Sequence, residues 1–300
     1  MELLRLTSPV EDLGPDPVLI VALDGWTDAA AGGSGAADSL LQLPSRRIGS
    51  FPTDELYDYR SRRPHLQIEE GQMGQVIWPE LLVDVIEPVS GPALILVHGA
   101  EPDRAWQTCA SDLLALAHQV GADRYVGLGS VPGPIPHTRP VQLVCTGTDD
   151  FAIERLGRFH ETVEVPASCQ AAWEAIFASM GMSTLGLWAR VPHYVAGEYP
   201  EASRALLQAL SAHLGTPVEL SEIESAVAEN QAKLDVAARS SDEVSDHVRQ
   251  LEYLYDAEME AEQTIGGLTA DGAPALREDE VPSAEELGAE IERFLKGRAD

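Results

Sequence analysis

Lysine is nearly missing from this sequence. Lys233 and Lys296 stand against eighteen arginines, and no lysine precedes position 233. That absence excludes a Walker-type phosphate loop upstream, because its GK[ST] signature needs the lysine. A Schiff-base lysine is excluded over the same stretch. A GC-rich genome that replaces lysine with arginine produces this bias, and the exclusions hold under that reading too. Cysteine is scarce as well: Cys109, Cys145 and Cys169 are widely spaced, without a CxxC. They read as buried small hydrophobes in a reducing cytoplasm, with a catalytic thiol as the minor alternative. No apolar run approaches the roughly 20 residues of a membrane span. The N-terminus, with Glu2 and Arg5, lacks the apolar core of a signal peptide, so a cytoplasmic location is expected.

Positive charge is also short. Twenty basic residues face 49 acidic ones, giving a net charge of −29 and a pI near 4.4. Phosphate binding needs a basic face, so neither nucleic acid nor an anionic membrane is expected as a partner. Metal-ligand spacing is absent, with no HExxH and no Cys/His cluster. No GxGxxG follows the first apolar run; Gly32-Gly33-Ser34-Gly35 falls inside an expected helix. Ser34 lacks the second glycine of a nucleophile elbow, since Ala36 stands there. No metal and no cofactor are expected.

What is present is an alternation of strand and helix from Val18 to Leu214. Val18 to Leu23, Arg46 to Phe51, Leu81 to Ile86, Leu94 to Val97, Tyr125 to Leu128, Val141 to Cys145 and Leu187 to Arg190 read as strands. Ala29 to Leu43, Asp103 to Val120, Gln170 to Met180 and Glu201 to Leu214 read as helices, with Gly121, Gly181 and Gly215 as stops. Gly147 to Asp150 reads as a turn. The order predicts a layered α/β domain with a mostly parallel sheet, and a core domain is expected over residues 1–218. Residues 219–300 form an acidic helical region with 22 acids and 7 bases. There the spacing predicts long amphipathic helices turning near Ser240-Ser241-Asp242. A flexible linker follows at about 266–282, then a last helix over 283–296, opened by the capping pair Ser283 and Glu286.

Chemistry-bearing residues follow the apolar runs. Asp24 and Asp28 follow the first; Glu101 follows Leu94 to Val97. His137, Thr138 and Arg139 follow Tyr125 to Leu128, and His193 and Tyr194 follow Leu187 to Arg190. Asp58 and Arg60 lie in a polar aromatic segment. Loops after parallel strands gather at one sheet edge. Glu101, His137, Arg139 and His193 are therefore expected to face one crevice, with the others as further ligand-binding candidates. A carboxylate and a histidine together can do acid–base work. Arg139 could hold an anion in its fork or pair with Glu101; a histidine beside proline could be a hydrogen-bonded structural residue. The stretch Asp24 to Asp28 feeds a helix N-terminus, whose N–H groups could hold an anion, and its two acids could meet a metal or a hydroxyl.

Five ordered motifs, DGWTDA, YDYRSRRP, GAEPDRAW, LGSVPGPIPHTRP and LWARVPHYV, together resemble the proteasome assembly chaperone 2 family in its actinobacterial branch. The resemblance covers about residues 1–260, and the lack of lysine fits a high-GC actinobacterium. It implies an α/β/α sandwich similar to nucleoside phosphorylases, homo-oligomeric assembly with a trimer foremost, and a protein partner in the proteasome system. Eukaryotic members are assembly chaperones for proteasome α rings and engage them through a hydrophobic–Tyr–X tail; Lys296 to Asp300 has no such ending. Two functions compete. The first is a non-enzymatic assembly or interaction protein. The second is an enzyme or binder of a nucleoside-like or anionic small molecule at the C-terminal edge of the sheet.

Overall fold

A computed structural model describes residues 1–270 except 9, 11–12, 160–161, 218–220 and 240–241. The expected turn at Ser240-Ser241, the 271–282 part of the expected linker and the expected last helix lie outside the described residues. In chain order the strands are β1 (Arg5–Leu6), β2 (Val18–Asp24), β3 (Ser45–Ser50), β4 (His65–Glu69), β5 (Gln72–Ile77), β6 (Leu81–Ile86), β7 (Leu94–Ala100), β8 (Arg124–Gly133), β9 (Leu143–Gly147) and β10 (Ser183–Pro192). The helices are α1 (Gly32–Leu41), α2 (Thr53–Leu56), α3 (Trp106–Val120), α4 (Asp150–Leu156), α5 (Cys169–Ser179), α6 (Pro200–Leu214), α7 (Ser221–Ala238) and α8 (Asp242–Ala270).

Eight strands form one sheet in the order β1-β3-β6-β7-β2-β8-β10-β9. The central four, β7, β2, β8 and β10, run parallel. The flanking strands add antiparallel, β6 on β7 and β9 on β10. Central strands are buried on both faces, which is why their sequences are continuously apolar. Leu19, Val21 and Leu23 of β2 enter one core with α3 and α5. Val18, Ile20 and Ala22 enter a second core with α1 and α6. The sheet thus lies between two helical layers, as the α/β reading expects.

Composition changes at 218, whereas contacts divide the chain after Leu251. Met1–Leu251 is one compact unit, and a second begins at Glu252. α7 belongs to the first because Ile223 and Val227 are buried in the α1/α6 core. Glu201 accepts from Asn230 at 2.9 Å, tying α6 to α7. α8 runs through Gly266 and Gly267 to Ala270, into the stretch read as linker.

Two elements differ from the sequence reading. The Gly147–Asp150 turn opens the helix α4, because the Asp149 carboxylate accepts from Ala152 N–H at 3.0 Å. β4 and β5 form a separate two-stranded hairpin. Its tip, Glu70 and Gly71, has φ of 46° and 81°, the positive pair of a tight two-residue turn. Both strands are exposed along their whole length.

Candidate functional site

The parallel strands bring the expected loops to one edge, but the loops separate into two groups. The first lies on the α3/α5 side. Glu101, just after β7, uses both carboxylate oxygens on backbone: Oε1 accepts from Cys169 N–H at 2.6 Å and Oε2 from Trp26 N–H at 2.7 Å. It therefore caps α5 and fixes the β2 loop. The Glu101–Arg139 pairing considered from sequence does not describe this carboxylate. Asp24 is paired with Arg62 at 3.2 Å. Asp58 is paired with Arg104 at 3.2 Å and accepts from Arg60 N–H at 3.0 Å. Arg60 is exposed.

Asp28 closes the anion position suggested for the first helix. Its carboxylate accepts from the N–H groups of Gly33 and Ser34, at 2.7 and 3.1 Å, and from the Ser34 hydroxyl. The protein thus supplies its own anion to the start of α1. Burial raises the Asp28 pKa, while these bonds oppose the rise. The preceding turn holds Ala30 and Ala31 at φ of 51° and 56°. α6 pins it from outside: Tyr199 N–H donates to Ala30 O, and the Ser203 hydroxyl to Gly32 O.

The second group lies where β8 and β10 end, against α7 and α8. His137 is buried, with its side chain 1% exposed. The Tyr194 hydroxyl accepts from the His137 backbone N–H at 2.7 Å and lies 2.7 Å from His137 Nδ1. An oxygen that already accepts one N–H can give its own proton to Nδ1. The neutral imidazole then carries its proton on Nε2, which faces Asp235 Oδ1 at 3.5 Å. His193 Nδ1 lies 3.3 Å from Gly133 O, which can only accept, so Nδ1 holds the proton. His193 Nε2 meets His247 Nε2 at 3.3 Å. Thr138 is exposed and Arg139 half-buried in the same loop as His137.

An open pocket of about 540 Å³ lies in this second group. His137, Tyr194, Glu243 and His247 form its polar lining, while Leu234, Ala237, Val244 and Val248 form an aliphatic wall. His137, His193 and Tyr194 are thus brought together; Glu101, Asp24, Asp58 and Arg60 are not part of this group. Sequence reasoning missed Arg62, Arg104, Asp235, Glu243 and His247. The last three sit on helices whose polar positions look merely solvated, though Glu243 and His247 are spaced to share a helix face.

The three cysteines are buried, and burial pushes the Cys109 and Cys145 thiols up to about 12. A thiol so far above neutrality is a poor nucleophile. On α5, Glu174 is pushed up to about 7 by burial, against a hydrogen bond from Thr146 that lowers it. Among the described residues no helix is long and apolar enough to cross a membrane.

The PAC2 family model matches residues 22–238, from β2 through α7. Among solved structures, a Mycobacterium tuberculosis protein of unknown function is 32% identical with a TM-score of 0.84, covering 89% of this chain and 92% of that one. A PAC2 family protein from Streptomyces avermitilis is 30% identical with a TM-score of 0.68, covering 78% and 100%. A proteasome-assembly chaperone homologue from M. tuberculosis is 26% identical with a TM-score of 0.69, covering 77% and 99%. No curated protein matches. With two thirds of its length matched by one family model, this chain belongs to the PAC2 family.

Proposed function

We propose that this protein is a non-enzymatic assembly or interaction protein that acts with proteasome subunits and works as a homo-oligomer. Family membership and similarity to a proteasome-assembly chaperone homologue support the reading. The observation that carries it is the β4–β5 hairpin. Leu66, Ile68, Met73 and Val76 share one of its faces and are 40–77% exposed. An isolated two-stranded hairpin is marginal in water, and a clustered apolar face of this kind marks a protein contact. Tyr59 packs on Trp78 with ring centroids 4.9 Å apart and planes tilted by 59°, next to the end of β5. The acid put forward for catalysis, Glu101, is engaged in capping backbone. Affinity capture of the full chain from its own cytosol tests the reading. Proteasome subunits are expected above the level of an Ile68→Asp/Met73→Asp control; equal recovery from both, or none, contradicts it.

A further inference from the structure

The pocket between the β8 and β10 loops and α7–α8 is not needed for an assembly role. Its volume, about 540 Å³, falls within the roughly 300–1,000 Å³ of small-molecule sites. It has an aliphatic wall from α7 and α8 and a polar wall of rings. The rings meet edge-on: His137 to Tyr194 at 5.8 Å and 82°, Tyr194 to His247 at 6.1 Å and 79°. Of these, Tyr194 and His247 are accessible, so a flat guest can stack on one ring and be met by the edge of the other. Charge selects further. Glu243 lines the pocket, and no lysine or arginine does among the described residues. Asp235, ion-paired with Arg239 at 3.5 Å, also faces His137, and the whole chain carries −29. Among the described lining residues an anionic guest finds no cation, whereas an N–H donor or a cation meets the Glu243 carboxylate.

We infer that this pocket binds a small, planar, weakly basic nitrogen heteroaromatic molecule, neutral or cationic. The guest lies against Leu234 and Val248 and gives its N–H edge to the Glu243 carboxylate. This narrows the small-molecule alternative raised from sequence, since it excludes an anionic ligand, and it stands independently of the assembly role.

Isothermal titration of the full chain with benzimidazole, and with benzoate as the anionic comparator, tests the inference. Two variants accompany it: His247→Ala, which removes a polar ring, and Ala237→Trp, which fills the pocket from α7 and keeps every polar group. Saturable binding of benzimidazole is expected, weakened about tenfold or more in both variants, with no binding of benzoate. Circular dichroism melting identifies any variant that fails to fold, and Ala237→Trp, at an exposed helix position, decides if His247→Ala does. Absence of benzimidazole binding, unchanged binding in folded Ala237→Trp, or benzoate binding as tightly as benzimidazole each overturns it.

Discussion

Glu101 occupies the space that a side chain at position 25 would need: a Cβ built on Gly25 lies 2.2 Å from Glu101 Oε2. The glycine and the acid form one arrangement. Gly25→Ala must displace the carboxylate from Trp26 N–H and Cys169 N–H. The exposed Trp26 N–H can turn to water, but the partly buried Cys169 N–H left without an acceptor costs about 1–3 kcal/mol. Gly25→Ala and Glu101→Ala should therefore both lower the melting temperature. Calorimetry that found Glu101→Ala as stable as the parent would return Glu101 to the list of free functional acids.

Glu174 makes stability depend on pH. Its folded pKa, about 7, lies above its ordinary 4.5, so the folded state holds the proton more tightly. Stability is then highest below 4.5 as far as this group is concerned. It falls as pH rises through about 7, by about 3 kcal/mol in all. Glu174→Gln keeps the shape and removes the charge. It should raise the melting temperature at pH 8 and leave it nearly unchanged at pH 5. An equal shift at both values contradicts the assignment.

Asp112 of α3 anchors the N-terminal segment. Its carboxylate is buried and accepts from the N–H groups of Glu2, Leu3 and Leu4 at 2.7–2.9 Å. Asp112→Ala should cost about 3 kcal/mol and speed amide exchange at Leu3 and Leu4 most of all. Exchange that rises evenly across the sheet would indicate a general loss of stability instead.

α7 belongs to the body by packing. A chain ending at Ala270 should be folded and soluble. One ending at Val218 loses Ile223 and Val227 from the α1/α6 core and should aggregate. Equal solubility and melting of the two in light scattering and calorimetry would make α7 a separate module.

The central strands were legible because burial on both faces leaves a continuous apolar run, as in Leu94 to Val97. Helix ends were legible at Gly121 and Gly215, whose φ of 75° and 66° suits glycine. The β4–β5 hairpin was not, because exposed strands carry no buried run. Its alternation of Leu66 and Ile68 before Glu70-Gly71 is the signal that was passed over. Of the candidate residues, His137, His193 and Tyr194 converge because β8 and β10 are parallel neighbours. Glu101 shares their sheet edge but turns to α5, a choice set by the open N-terminus of that helix. Asp235 and His247 owe their place to the docking of α7 and α8, which no local pattern encodes.

The central claim, an interaction protein working through its exposed hairpin, is tested most directly by quantitative capture from native cytosol. Full-length protein and its Ile68→Asp/Met73→Asp variant are compared by mass spectrometry after both are shown to melt alike. Proteasome subunits enriched by the parent and lost from the variant are the predicted result. Proteasome subunits recovered equally with both, or with neither, would contradict it.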